Sequence, residues 1–205
     1  TALGELLKNS SLDPAASSGQ SLCQLLQGIK NKSVAVVHLS YDNDVRKERK
    51  LRGAGYFVGS EQHTSMLGMS WDTQLFPEHR GGDGARMTLY FDASNADAFA
   101  EGLSEKSLES VATGAVADHL GVKDTPSNIR VNIWHDAVPQ YLVGHHRKMQ
   151  ELNAARRQKL PWLQVSGPGY FGTRNVADEI IDARELTDSL ARRFARFPSL
   201  IENEL

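Results

Sequence analysis

Three glycines near the C-terminal end form the most motif-like stretch of the sequence. Residues 167–172 read GPGYFG and satisfy the G-x-G-x-x-G pattern of dinucleotide-binding loops, in which glycines let the backbone approach a pyrophosphate. Pro168, Tyr170 and Phe171 crowd this loop, and too few residues follow it to complete a nucleotide-binding half. The sequence therefore favours a tight turn between a strand and a helix, with a phosphate loop as the alternative.

The seven histidines and the single cysteine show no metal-ligand spacing. His145 and His146 are adjacent on a predicted helix, so their side chains diverge and a metal pair is not expected. Cys23 lies in an apolar helical stretch and is interpreted as a small core residue. The other histidines stand singly, at His38, His63, His79, His119 and His135. Because no acid–base side chain stands out, the sequence predicts no catalytic residue and no metal site.

The bulk composition restricts the class of protein. The 205 residues are enough for one large domain, or for a domain with an appended lobe. A net charge of −2 excludes the strong basic field that nucleic-acid binding needs. The basic residues 46–52 are interrupted by Glu48 and Leu51, which indicates a solvated loop or hairpin tip rather than a phosphate site. No apolar run approaches the roughly 18 residues that cross a bilayer.

Two further features concern the origin of the chain. A single thiol makes no internal disulfide, which favours a reducing or redox-neutral compartment. The sequence shows no secretory signal. It begins with Thr1, so we expect a processed product, a fragment or a chain whose beginning is missing.

Hydrophobic periodicity predicts an α+β fold. Valine-rich or alternating runs predict strands at residues 33–41, 53–58, 65–70, 85–92, 128–134 and 162–166. Helical spacing predicts helices at residues 21–29, 96–101, 104–120, 144–157 and 176–194. The predicted strands and helices do not alternate regularly, which favours α+β over a doubly wound fold.

Several segments together resemble the oxygen-dependent protoporphyrinogen oxidases, which belong to the FAD-containing amine-oxidase-like superfamily. The similar segments follow the order that they have in that family. They are SVAVVHLSY (33–41), GAGYFV (53–58), LGMSWDTQLFP (67–77), IWHDAVPQYLVGH (133–145) and residues 163–184. The fourth segment is similar to the family's W-x-x-A-[IV]-PQY-x-x-GH block and is the most specific match.

The resemblance implies a particular division of the chain. It implies a mixed-sheet substrate lobe, followed by the C-terminal strand-loop-helix return of a discontinuous FAD-binding domain. The expected parts are an N-terminal segment and linker (1–18), a substrate-lobe-like region (19–160), the FAD-domain return (161–197) and a tail (198–205). The family's N-terminal half, which holds the ADP moiety of FAD, is expected from a second polypeptide or a missing half.

The resemblance also implies which residues contact cofactor and substrate. The loop and helix start near the flavin ring correspond to Thr173, Arg174, Asn175 and Val176, with Trp134 as an aromatic neighbour. An apolar clamp around a tetrapyrrole corresponds to Gly55, Phe57 and Phe76. The implied reaction is the oxidation of protoporphyrinogen IX to protoporphyrin IX in heme biosynthesis, with hydride transfer to FAD and reoxidation by O2. Core packing of Trp134 and of the clamp residues stays open as the alternative.

The closing segment departs from the family pattern. It reads GTRNVADEIIDAR, with one extra residue before Asp178, Glu179 in place of the usual cysteine and Ala183 in place of a glycine. These departures favour a second hypothesis, a non-catalytic homologue that serves as a structural or accessory subunit. Both hypotheses imply a partner polypeptide, and a homodimer or larger complex and a peripheral membrane contact are compatible with them. The expected location is the mitochondrial inner membrane, with chloroplast or cytoplasm as alternatives.

Overall fold

The computed structural model describes residues 21–45, 52–62, 64–79, 84–94, 104–167, 170 and 175–195. It divides into two compact units. One unit is Lys32–Val138, and the other joins the stretch up to Asn31 with the stretch from Pro139 onward. The four-part division expected from the sequence stays a prediction.

The first unit is built on a five-stranded sheet with the order β2-β3-β4-β1-β5. The strands are β1 (Asn31–Tyr41), β2 (Gly55–Phe57), β3 (Met66–Trp71), β4 (Ala85–Asp92) and β5 (Asn128–Pro139). The β1–β4, β2–β3 and β3–β4 pairs are antiparallel. Strand β5 is antiparallel to β1, since Ser127 N donates to Ser40 O and Asp136 N, further along the chain, donates to Ser33 Oγ. The α+β class is confirmed, and the sheet is antiparallel rather than mixed.

One face of this sheet forms the core. The odd-numbered residues among 35–41 of β1 and 85–91 of β4 are buried, because successive side chains of a strand point to opposite faces. Helix α3 (Glu105–Leu120) contributes Leu108, Ala112 and Val116 to the same cluster, at the four-residue spacing of one helix face. Each large side chain buried here contributes about 1.5–3 kcal/mol to stability.

Local signals set the ends of α3. Ser104 and Ser107 exchange side-chain and backbone hydrogen bonds at its start, so two of the free N–H groups are satisfied. Gly121 ends the helix in the left-handed conformation at φ 67°, where glycine has no steric penalty. Helix α2 (Asp72–Leu75) is a single turn that follows β3 directly.

The second unit contains three helices among its described residues, α1 (Leu22–Gln27), α4 (His145–Lys159) and α5 (Val176–Ala195). Helices α1 and α4 share a buried apolar cluster. Lys148 Nζ on α4 donates to Gly28 O at the end of α1 over 2.7 Å. Ser166 Oγ donates to Asp182 Oδ2 on α5 at 2.5 Å. None of the described helices is long and apolar enough to cross a membrane.

Most predicted elements occur close to their expected bounds, and the differences have physical causes. The strand β2 is shorter than predicted, since Gly53 bends the chain at φ 80°. The strand β5 continues to Pro139, five residues beyond the predicted end. Residues 163–166 carry no strand pairing with the described residues, and Gly167 then turns at φ 123°. The predicted helix at 96–101 lies outside the described residues.

Gly55 is required where β2 approaches β3. Its φ is +145°, and a Cβ there would lie 2.1 Å from Met69 O and 2.8 Å from Ser70 Cα. Both atoms belong to the backbone of β3, so they cannot move aside without breaking the ladder. The close approach of β2 to β3 therefore requires glycine at position 55, independently of the substrate-binding role that the family resemblance implies for Gly55.

Replacing Gly55 tests this close approach. We expect Gly55→Ala to lower the free energy of unfolding by more than about 1 kcal/mol, because the residue is both strained and crowded. Gly114→Ala is the matched control, since a Cβ at Gly114 meets nothing within 4 Å in the middle of α3. That change should stabilise the helix by up to about 1 kcal/mol. Denaturant unfolding of the two variants measures both effects, and equal shifts would contradict the close approach.

Candidate functional site

A chain of five polar side chains crosses the face of the sheet opposite the core. Asp72, at the start of α2, accepts from the Ser70 hydroxyl at 2.9 Å and from the Thr88 hydroxyl at 2.5 Å. His38 Nδ1 lies 2.8 Å from Thr88 Oγ1, and the Tyr90 hydroxyl lies 3.4 Å from Ser70 Oγ. The register places Ser70 opposite Thr88 and Thr88 opposite His38, so the strands hold these side chains side by side.

The directions of these hydrogen bonds follow from the single proton on each hydroxyl. Thr88 donates to Asp72, so Thr88 Oγ1 must accept from His38, and His38 Nδ1 carries the hydrogen. Neutral His38 is therefore the tautomer whose Nε2 is the proton-accepting nitrogen. By the same reasoning Ser70 donates to Asp72 and Tyr90 donates to Ser70. The Asp72 carboxylate thus orients every other member of the chain.

An apolar groove lies on the same side of the sheet, over β2 and β3. Its volume is about 380 Å³, and Gly55, Phe57, Met69, Ser70 and Tyr90 are among the residues that line it. Phe57 is opposite Gly68, which in turn is opposite Tyr90. Phe57 is 92% exposed, which is unusual for a phenylalanine. Two of the three residues predicted to bind substrate, Gly55 and Phe57, therefore border one groove.

A larger cleft of about 620 Å³ lies beside this groove, and Tyr90 lines both. The third predicted substrate residue, Phe76, follows α2 and lines the cleft with 49% of its surface exposed. The other lining residues are mostly polar and include His38, Asp72, Thr88, Arg86, Asn128, Arg130 and Asn132. The structure thus brings all three predicted substrate residues to one side of the sheet, with a polar cleft that sequence reasoning missed.

Trp134, predicted as a neighbour of the flavin, lies on β5 and is 55% exposed. Ile129, Val131 and Ile133 on the same strand pack against the core. Because strand side chains alternate, Trp134 and Arg130 belong to the side of the sheet that carries the cleft. Its exposure argues against the alternative that Trp134 is a core residue.

The remaining predicted flavin residues belong to the second unit. Asn175 precedes α5, and its side-chain Oδ1 accepts from Asp178 N at 2.9 Å, as an N-cap does. Val176 is 75% exposed at the first position of α5. The first turn of α5 also carries Asp178 and Glu179, and the helix N-terminus favours their negative charges. Thr173 and Arg174 lie outside the described residues.

The histidines have partners that the sequence alone did not reveal. His38 belongs to the chain around Asp72, so its interpretation as a single histidine is wrong. His119 Nδ1 lies 2.6 Å from the Tyr56 hydroxyl, which joins α3 to β2. His146 Nε2 lies 3.0 Å from Gln150 Nε2, and the His145 ring lies 4.8 Å from that of Tyr141. Among the described residues no cluster of three metal-ligating side chains occurs.

Burial and neighbouring charges shift four ionisable groups among the described residues. Burial, and then the charge of Asp124, raises the pKa of Tyr41 to about 12. Burial raises the pKa of Tyr56, which keeps its hydroxyl protonated beside His119. Burial acts to raise the pKa of Asp92, but hydrogen bonds from Lys32 and Ser94 outweigh it and hold that pKa below its ordinary value. Burial, and then the charges of Lys148 and His146, lower the pKa of His145. Of these groups, Tyr56 lines the groove, and none lines the cleft.

The family model of flavin-containing amine oxidoreductases matches residues 2–167. This span covers most of the chain, including the whole sheet and the groove. The chain belongs to the flavin-containing amine oxidoreductase family. The confirmed resemblance points within that family to the protoporphyrinogen-oxidase-like members.

The curated relatives of this family member include several porphyrinogen oxidases. Bovine protoporphyrinogen oxidase is 34% identical over 158 residues, covering 74% of this chain and 32% of its own length. The human protoporphyrinogen oxidase is 33% identical over 177 residues, covering 82% of this chain and 35% of its own length. Coproporphyrinogen III oxidase of Bacillus subtilis is 22% identical over 148 residues, covering 72% and 31%. The chain therefore spans about a third of the length of these relatives.

Solved structures support the fold of this family member. A crystal structure of a protein assigned as a protoporphyrinogen oxidase from Exiguobacterium superposes with a TM-score of 0.69 at 16% identity. The superposition covers 92% of this chain and 38% of the Exiguobacterium protein. Reduced UDP-galactopyranose mutase superposes with a TM-score of 0.56 at 10% identity, covering 71% and 30%. At these identities the likeness concerns the fold alone.

The chain around Asp72 can be tested in this family member by removing one hydroxyl. We expect Thr88→Val, which keeps the volume, to lower the free energy of unfolding by about 1–3 kcal/mol, because Asp72 and His38 both lose a partner. The ring nitrogens of His38 should also lose their fixed tautomer, which nitrogen NMR shifts report.

The matched control is Thr113→Val on α3. The Thr113 hydroxyl donates only to the carbonyls of Glu109 and Ser110 in its own helix. Its loss should change the free energy of unfolding by no more than about 0.5 kcal/mol. Similar shifts in the two variants, with an unchanged His38 spectrum, would contradict the chain.

Proposed function

We propose that this chain provides the substrate-binding lobe of a flavin-dependent porphyrinogen oxidase, with protoporphyrinogen IX as the substrate and protoporphyrin IX as the product. The observation that carries the proposal is the pair of recesses on the side of the sheet opposite the core, which share Tyr90 in their linings. An exposed aromatic side chain borders each of them, Phe57 the groove and Phe76 the cleft. The names of the bovine, human and Bacillus relatives support the substrate class.

Phe57 and Phe76 have surfaces suited to a large macrocycle. A tetrapyrrole presents broad apolar area, and its burial against aromatic rings is favourable without directional hydrogen bonds. Phe57 contributes little to the folded sheet, since most of its side chain is exposed. Its apolar area is therefore available for a ligand, and closing the groove over a macrocycle would exclude water from it.

A bound FAD would supply the acceptor for the hydrides removed from the porphyrinogen, and O2 would be the final electron acceptor. The residues of this chain proposed to face the flavin are Trp134 on β5, Asn175 and Val176 at the start of α5, and Thr173 and Arg174, which come before them in the sequence. In this arrangement the backbone N–H groups at the start of α5 would face the polar edge of the flavin ring. The rest of the FAD domain is proposed to come from a partner polypeptide or from a further part of the same protein.

The proposal is tested on material purified from the native source with everything that copurifies. We expect oxidised-flavin absorbance bands, and growth of porphyrin fluorescence when protoporphyrinogen IX is added in air. A colourless protein in a stable complex, with no porphyrin formation, would instead support the accessory-subunit hypothesis.

A substitution separates substrate binding from folding. We expect Phe57→Ala to raise the KM for the porphyrinogen about tenfold, since a buried phenylalanine is worth about 1.5–3 kcal/mol. The variant should unfold at nearly the same denaturant concentration as the unsubstituted protein, because Phe57 is exposed. Val111→Ala is the control, since Val111 is also exposed but lies on α3, behind the sheet. Equal KM values for the two variants would argue against the groove as the substrate site.

A further inference from the structure

We propose that the cleft beside Asp72 binds a carboxylate arm of the porphyrinogen through Arg86 and Arg130; this rests on the proposed function. Both arginines line the cleft together with the amides of Asn128 and Asn132. Sequence reasoning singled out none of these four residues.

The positive charges of the cleft are not neutralised by the protein. Arg86 and Arg130 are exposed, and neither forms an ion pair with a described residue. The one carboxylate that lines the cleft, Asp72, already accepts from Ser70 and Thr88. Two guanidinium groups thus share a recess with a single, already engaged carboxylate. Such an excess of one sign attracts a ligand of the opposite sign.

The strands place the two arginines within reach of a common ligand. Arg86 on β4 is opposite Ser40 on β1, and β5 is the neighbour on the far side of β1. Arg130 points to the cleft side because its neighbours Ile129 and Val131 pack into the core. Two strand spacings, about 10 Å, separate the strands β4 and β5 that carry Arg86 and Arg130. Two long side chains can therefore converge over the β1 surface between them.

The chemistry of these groups suits a carboxylate. A guanidinium presents paired N–H donors that match the two oxygens of a carboxylate, and such charge-assisted bonds are stronger than neutral ones. Asn128 and Asn132 add amide donors beside them. The adjoining groove is apolar, and Tyr90 borders both recesses. A ligand with an apolar ring system and acidic arms, as a porphyrinogen has, fills both at once.

The experiment compares two stable porphyrins that differ only in their acidic arms. Protoporphyrin IX and its dimethyl ester are titrated into the purified full chain, and porphyrin fluorescence or quenching of tryptophan fluorescence reports binding. We expect the diacid to bind at least about tenfold more tightly than the diester, an advantage that shrinks as salt is added. The double variant Arg86→Gln, Arg130→Gln should lose this advantage and keep the affinity for the diester.

Two further variants make the comparison specific. The double variant Arg86→Lys, Arg130→Lys keeps both charges and should retain part of the advantage. Arg192→Gln removes an exposed charge from α5 and should leave both affinities unchanged. Both cleft arginines are exposed, so their replacement should leave the circular dichroism spectrum unaltered. If the glutamine variant nevertheless unfolds, the diacid preference of the unsubstituted chain and its salt dependence still decide the matter.

The contrary outcomes separate this inference from the proposed function. Equal binding of diacid and diester, or a diacid preference that survives in the glutamine variant, would overturn the carboxylate site and leave the groove as a macrocycle site. Failure of both porphyrins to bind would contradict the substrate class as well.

Discussion

The alternation of side chains along two neighbouring strands is the constraint on which the rest of this structure depends. On β1 and β4 the odd-numbered residues among 35–41 and 85–91 are buried in the core, so the even-numbered residues between them must face the other way. That second face holds His38, Arg86, Thr88 and Tyr90 in fixed positions. A shift of the register by one residue would turn these polar groups into the apolar core and turn the core side chains out of it, which is far too costly to occur. The hydrophobic core therefore positions the candidate site.

Asp72 links this rigid sheet to the less regular chain beside it. It is the first residue of a one-turn helix that is too short to be stable alone. Its two hydrogen bonds, to Ser70 and Thr88, tie that helix to β3 and β4. Phe76, which lines the cleft, follows directly after this anchored turn. Asp72, which the sequence did not single out, thus has a structural role. Because its carboxylate already accepts from two hydroxyls, it forms no ion pair with Arg86 or Arg130.

Predictions from periodicity succeeded where one pattern dominates and failed where a partner at long range decides. The strand at 85–92 and the helix starting at 104 were predicted almost to the residue, since alternation and a capping serine are local signals. Residues 163–166 have strand-like composition, yet a strand exists only when a neighbour pairs with it, and the described residues provide none. His38 was taken as solitary because Thr88 and Asp72 are 50 and 34 positions away in the sequence. Nothing short of the strand register brings those three residues together.

The sequence by itself determined the family, the α+β class and most of the elements, because ordered motifs and hydrophobic periods are written into neighbouring residues. It also pointed to Gly55, Phe57 and Phe76. Only the tertiary structure decided that these three residues share one side of a sheet, that Gly55 is also required by the backbone of β3, and that Arg86 and Arg130 line one cleft with Asp72. Such facts depend on which strands become neighbours and in what register. That choice is made by the packing of the whole core, which no local stretch of sequence encodes.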